Sequence, residues 1–168
     1  MRSRRPLPLL LVPLAVAIPA PAAAVTQNAA VNANVIRPLT LTSLQDLDLG
    51  TITLKLGSWS GATVGISKAG LFTCNANVVC TGAVQVARYK VTGTNKMVVR
   101  ITAPNVTLTN QNDNTKTLTL TLDSPGTVTL TSSGEPGNNF DLGGTLTLSS
   151  TTVPGTYSGT LAVTVDYQ

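Results

Sequence analysis

The sequence predicts an all-β protein built as an antiparallel β-sandwich. Apolar residues recur at every second position in many short segments, for example TLTLTL at residues 117–122 and TLAVTV at residues 160–165, which is the period of a half-buried strand. No helical apolar period persists for ten residues, and Thr and Val are too frequent to favour helices. Turn sequences such as DSPG, GEPGNN and VPGT separate the segments at short intervals. This pattern is typical of sandwiches and barrels, and we favour the sandwich.

The strands of the amino-terminal half follow from this alternation. A first strand surrounds Pro38, a second carries the alternating apolar residues of LDLGTITL at residues 47–54, and a third lies between glycines within residues 57–70. We expect LFTC at residues 71–74 to open a hairpin, NANVV at residues 75–79 to form its tip, and AVQVARYKVTG to follow it.

The carboxy-terminal half continues the same pattern. Four segments with strand character precede the last one: MVVRITAPNVTLTN, TKTLTLTLDSPG, GTVTLTSSG and NFDLGGTLTLSS. The last segment, residues 155–168, places Tyr157, Leu161, Val163, Val165 and Tyr167 at odd positions and polar residues at most even ones. We therefore predict one half-buried strand here, with neighbours on both of its edges.

The first 24 residues predict a signal peptide. Arg2, Arg4 and Arg5 form a basic start, residues 7–20 are apolar, and small alanines follow at residues 22–24. A membrane anchor is the alternative, but the apolar run is short and prolines interrupt it. We therefore expect an exported chain with no stable membrane insertion, comprising an extension at residues 25–35 and one domain at residues 36–168.

The charge of the exported chain is nearly neutral. Of the eleven Lys and Arg residues three lie in the leader, which leaves eight against seven Asp and Glu. No cluster of basic residues remains to suggest binding to nucleic acid.

Cys74 and Cys80 are the only cysteines of the sequence. In an exported chain, an even number of cysteines at close spacing predicts a disulfide, which here would pin the expected hairpin. Zinc binding is the alternative, but a zinc site needs about four ligands and the sequence contains no histidine.

The sequence does not favour an enzyme. Without histidine it lacks the commonest general base and metal ligand. Asp46 and Asp48 are expected to point together into solvent, and no nucleophile has a visible activating partner. We predict no catalytic residues, no cofactor and no metal. Trp59 is the one tryptophan, and its glycine and serine neighbours allow either a core-capping role or stacking on a ligand.

Several segments in order resemble the bacterial secreted family known as domain of unknown function 4402. They are NVIRPLTLT, LDLGTI, the A-x-Y-x-V-T-G of residues 87–93, RITAP, FDLGGTLTL and GTYSGTLAVTVDY. Together they span nearly the whole exported chain. The segment GTYSGTLAVTV is also similar, more weakly, to spore coat protein U domains and other chaperone-usher pilins.

This second resemblance implies a fimbrial subunit with an incomplete immunoglobulin-like sandwich, completed by the amino-terminal strand of the next subunit. The implied donor strand would insert Ala29, Val31, Ala33 and Val35, which share one face at a period of two. The implied acceptor strand carries Tyr157, Leu161, Val163, Val165 and Tyr167. Implied partners are further copies of the chain, a periplasmic chaperone and an outer-membrane usher, with adhesion or biofilm formation at the cell surface.

Two alternatives remain at the level of the sequence. Residues 25–35 can be a loose start of a self-contained domain rather than a donor strand. The protein can also be a monomeric secreted sandwich that binds a ligand, such as a glycan, through its loops and Trp59.

Overall fold

A computed structural model describes residues 25–168, and the predicted signal peptide at residues 1–24 lies outside the described residues. Within the described part every regular element is a strand, and all strand pairs are antiparallel. The predicted all-β fold is therefore confirmed, and the architecture is consistent with a β-sandwich.

The larger sheet has eight strands. Its main path runs in the order β1 (Thr40–Gln45), β6 (Ala87–Thr92), β11 (Asn138–Leu148), β9 (Thr117–Asp123), β8 (Val106–Asn110) and β12 (Tyr157–Ser158), while β3 (Ala62–Ile66) pairs with β11 and with β4 (Phe72–Cys74). The long strand β11 pairs with β6 through its first half and with β3 and β9 through its second half.

Two smaller sheets face the larger one. One has the order β10 (Thr127–Thr129), β7 (Val98–Thr102) and β13 (Thr164–Tyr167), and the other pairs β2 (Thr51–Leu54) with β5 (Val78–Thr81). The three-stranded sheet covers a core around Val91, Val99 and Leu142. The two-stranded sheet covers a second core around Val64, Leu120 and Leu146. The two small sheets are not paired with each other.

The predicted alternation of threonine and leucine appears directly in the strands. In β9 the threonines at 117, 119 and 121 are exposed, whereas Leu118, Leu120 and Leu122 point inward and pack against the second core. Burial of the leucines and hydration of the threonines therefore decide which face of the sheet meets the interior.

The predicted single strand at residues 155–168 is two strands in the structure. β12 belongs to the large sheet through β8, β13 belongs to the three-stranded sheet through β7, and residues 159–163 cross from one sheet to the other. Within the described chain β13 lies at the edge of its sheet and pairs only with β7, so no described strand supplies the second neighbour that the prediction requires. Leu161 lies in the crossing and packs against both cores.

The expected hairpin between the cysteines does not form. β4 pairs with β3 in the large sheet, β5 pairs with β2 in the two-stranded sheet, and Val78 and Val79 belong to β5 rather than to a loop. β4 pairs with the preceding strand across the short turn at residues 67–71, whereas β5 takes the more distant β2 as its partner, and apolar side chains such as Ile66 and Phe72 lie opposite each other in these pairs. The disulfide therefore links two sheets.

Candidate functional site

An open apolar groove with a volume of about 860 Å³ lies on one face of the described domain. One side is formed by residues 47–54 and the other by residues 152–161. Its floor consists of inward side chains of the large sheet, namely Val106, Leu108, Leu118, Leu120, Leu146 and Leu148. The groove thus lies over the second core, where the facing layer is incomplete.

The side chains along the groove are only partly covered. Leu108 and Leu118 on the floor are half-buried, although they pack against the second core. The same holds for the apolar side chains of the two sides, which are Leu47, Leu49, Ile52, Leu54 and Leu161. Single half-exposed aliphatic residues are ordinary, whereas a contiguous set around one groove makes this face the candidate interaction surface of the described domain.

Both sides of the groove carry backbone that has no strand partner. β2 pairs only with β5, so its other edge is open. Residues 159–163 make no backbone hydrogen bond to any other described residue. Unpaired edges of this kind are templates for an added strand.

Asn110 fastens the side formed by residues 152–161. Its side chain is almost fully buried, with 1% of its surface exposed. The side-chain amide donates to the carbonyl oxygen of Pro154 at 3.2 Å, and the side-chain oxygen accepts from the backbone amide of Asn112 at 2.9 Å. Gly155 passes so close to Asn110 that a β-carbon at this position would clash with the carboxamide. This buried polar residue therefore helps, together with the pairing of β12 and β8, to hold this side in position.

Two tyrosines near the ends of residues 155–168 make hydrogen bonds that hold these residues in place. The Tyr157 hydroxyl donates to the carbonyl oxygen of Val153 at 2.8 Å. The Tyr167 hydroxyl donates to the carbonyl oxygen of Arg37 at 2.7 Å and accepts from the backbone amide of Thr94 at 2.7 Å. Tyr167 therefore ties β13 to the residues that lead into β1.

The predicted acceptor residues divide between the two cores. Tyr157 and Leu161 line the groove. Val163, Val165 and Tyr167 instead pack against the first core, under the three-stranded sheet. The acceptor prediction did not include the open edge of β2 or the floor leucines, although the alternation in LDLGTITL and TLTLTL already placed those side chains on an apolar face.

The candidate donor residues are exposed. Residues 25–39 contain no strand, and Ala29, Val31, Ala33 and Val35 are all exposed. Val31 is 93% exposed and Val35 is 90% exposed. Residues 25–36 contain no charged side chain.

The predicted disulfide is confirmed. Cys74 in β4 and Cys80 in β5 are bonded with an S–S distance of 2.00 Å. Because β5 pairs with β2, the bond anchors the strand pair that forms one side of the groove to the large sheet.

The groove is almost free of charge. Asp48 is its one charged lining residue within the described chain, and its carboxylate accepts from the backbone amide of Gly50 at 2.8 Å. Ion pairs lie elsewhere, for example between Lys68 and Asp123 at 2.7 Å. The hydrogen bond from the Lys68 ammonium lowers the pKa of the Asp123 carboxyl.

Trp59 packs against the second core, as a capping residue would. Its indole nitrogen donates to the carbonyl oxygen of Lys55 at 3.0 Å.

Residues 25–168 hold no cluster of three or more His, Cys, Asp or Glu side chains that could bind a metal ion. A helix with the length and apolarity needed to cross a membrane was likewise not found among them.

Comparison with known proteins gives one match. Residues 39–167 match the family model described as Domain of unknown function (DUF4402). No curated protein and no solved structure shows significant similarity to the chain.

Proposed function

Because the chain belongs to the DUF4402 family, whose description carries no function, we propose a function from the groove: the protein is a structural subunit of a bacterial surface pilus or fimbria. Neighbouring subunits are joined when an extended segment of one fills the groove of the next. The protein is exported, acts as a building block rather than an enzyme, and serves adhesion or biofilm formation.

The observation that carries the proposal is the apolar groove between two open backbone edges. A strand added there would cover the half-buried leucines and pair with the open edge of β2 or with residues 159–163. This combination of apolar burial and main-chain hydrogen bonding is the physical basis of strand addition. A small ligand needs the apolar surface but not the open edges.

The proposed donor is the segment at residues 25–35 of a second copy. Ala29, Val31, Ala33 and Val35 would face the groove and the polar residues between them would face solvent. Burial stabilises the joint by about 1.5–3 kcal/mol for each valine and about 0.8 kcal/mol for each alanine, before the cost of ordering the segment. Since every subunit gives one segment and receives one, the contact is head to tail and generates a fibre.

Export and assembly need partners in this proposal. A periplasmic chaperone would cover the groove until polymerisation, since an exposed apolar groove with open edges invites aggregation. An outer-membrane usher would then release the subunits to the surface.

The test is expression of the whole chain in a bacterium that exports it, followed by electrophoresis of unboiled samples in detergent. We expect a ladder of polymers that collapses to monomer on boiling. Deleting residues 25–35 should remove the ladder and leave a folded, disulfide-bonded monomer.

A matched pair of variants separates the donor face from general effects of charge. Val31→Asp places a carboxylate in the apolar groove and should abolish the ladder. Asn32→Asp adds the same charge on the opposite face and should leave it intact. A wild-type chain that is exported and folded but runs only as monomer would refute the proposal, and glycan binding by that monomer would favour the alternative.

A further inference from the structure

We propose that the groove selects its occupant by size, because its leucine-rich floor requires small residues in the inserted strand. This inference rests on the proposed function and identifies the segment at residues 25–35 of a second copy as the fitting donor. The large leucines of the floor and the small alanines of the donor are complementary in size, and this complementarity is the source of the selectivity.

The floor already contains much of the apolar bulk. Five of its six side chains are leucines, and the remaining one is Val106. Leu108 and Leu118 are direct cross-strand partners in β8 and β9, and both remain half-buried. They therefore present the side-chain bulk that an inserted strand would meet.

The neighbouring floor pair is different. Val106 and Leu120 are also cross-strand partners, but both are buried, with 7% and 3% of their surface exposed. Along β8 the floor thus passes from a smaller, deeper residue at 106 to a larger, more exposed one at 108. Same-face residues of a strand lie two positions apart, so these two floor positions are about 6.7 Å apart.

The inward side chains of an extended donor segment have the same spacing. Its inward positions read Ala29, Val31, Ala33 and Val35, which is small, medium, small, medium. Interiors pack at constant density, so large residues on one face require small residues on the facing one. An alanine over the pair Leu108–Leu118 places a valine over the pair Val106–Leu120.

Charge favours the same occupant. Residues 25–36 are uncharged, and the groove has Asp48 as its one charged lining residue in the described chain. A donor with charged side chains would desolvate them in the groove without partners. Size and charge together therefore fit the chain's own segment better than a bulky aliphatic or charged strand.

The test uses synthetic peptides as competitors of polymerisation. The exported full chain is unfolded in denaturant with its disulfide intact, and it is refolded in the presence of a peptide of residues 25–35. The concentration of peptide that halves the amount of polymer is measured on unboiled gels. A second peptide carries both Ala29→Leu and Ala33→Leu, and a matched control carries Asn28→Leu and Asn32→Leu, which add the same kind of bulk on the opposite face.

We expect the doubly substituted alanine peptide to need at least about tenfold more material than the native peptide, which corresponds to about 1.4 kcal/mol. The control peptide should stay within about threefold of the native one, since it adds bulk only on the solvent face. In a chain with Leu118→Ala, the penalty on the alanine-substituted peptide should shrink or reverse, and Leu118→Val serves if that variant does not fold.

The outcomes separate this inference from the proposed function. If the native peptide inhibits and the peptide with leucines at 29 and 33 inhibits as well or better, size selection is wrong while strand donation stands. If polymers form but the native peptide has no effect, the donor is a different segment and this inference is wrong. If no polymer forms at all, both proposals are wrong.

Discussion

Replacing Asn110 by alanine should destabilise the protein and loosen one side of the groove. Asn110 is 1% exposed, and it bonds to the Pro154 carbonyl and to the Asn112 amide. Loss of a partner for a buried polar group costs about 1–3 kcal/mol. The groups left behind are the Pro154 carbonyl and the backbone amides of Asn112 and Asp113. They belong to exposed or half-buried residues, so water can reach them and the total cost should stay within about 1–3 kcal/mol rather than multiply with the number of bonds.

The assay is equilibrium unfolding in urea or by heat. For a domain of this size, the expected loss corresponds to a fall in Tm of about 3–10 °C. Asn110→Asp keeps the acceptor contacts but replaces the donor by an oxygen that faces the Pro154 carbonyl. The Asn110→Asp protein should therefore be no more stable than the Asn110→Ala protein. Asn112→Ala is the matched control, since the Asn112 side chain is exposed and only its backbone amide contacts Asn110; its change should be within about 0.5 kcal/mol.

Hydrogen exchange locates the effect. The backbone amide of Gln111 donates a hydrogen bond to the carbonyl oxygen of Thr156 at 2.8 Å. This bond connects the end of β8 to the side of the groove formed by residues 152–161. In Asn110→Ala this amide should exchange faster, while amides in β6 should not change. An Asn110→Ala protein with unchanged stability and unchanged exchange at Gln111 would show that the carboxamide does not hold this side.

Three further predictions concern the ties between elements. Tyr167→Phe removes two hydrogen bonds of the phenol and should cost about 1–3 kcal/mol in unfolding free energy, whereas Tyr157→Phe removes one and should cost about 0.5–1.5 kcal/mol; equal losses would contradict this order. Replacing both cysteines by serine should lower the unfolding free energy by about 2 kcal/mol. Reducing the disulfide of the wild-type protein should lower it by a similar amount. A decrease that occurs in the serine variant but not in the reduced wild type would show that the disulfide is not its cause. The pKa of Asp123 is lowered by the hydrogen bond from Lys68, so its contribution is present above the unfolded pKa and is lost as the pH falls through the folded pKa. Asp123→Asn should therefore lower stability modestly at pH 7, by less than about 1 kcal/mol for so exposed a pair, and should converge with wild type in strong acid; a loss that persists there would contradict the linkage.

Much of the fold was predictable because the polarity of each residue indicates whether its side chain faces the interior or the solvent. The alternation in β9 distinguishes inward Leu118 and Leu120 from outward threonines without any knowledge of the partner strands. The disulfide was predictable because the two cysteines lie close in a sequence whose first residues predict export. These inferences need only local information.

The pairing of strands was not predictable in the same way. The crossing at residues 159–163 keeps the alternation of Leu161, Val163 and Val165, because both sheets face the same interior and an inward residue stays inward when the chain changes sheet. The groove was hidden for a related reason. A leucine that faces an open groove, such as Leu118, has the same sequence signature as one that faces a filled core.

The hydrogen bond between the Tyr167 phenol and the Arg37 carbonyl has a mechanical consequence for a filament. Under tension, the pull on a donated segment would reach its own domain at residue 36 and arrive at once at this bond. Beyond it lies β1, which is paired along its length with β6. A pull directed along β1 would load the hydrogen bonds of this ladder together in shear instead of opening them one after another. The place where the chain enters the domain would thus act as its tensile anchor.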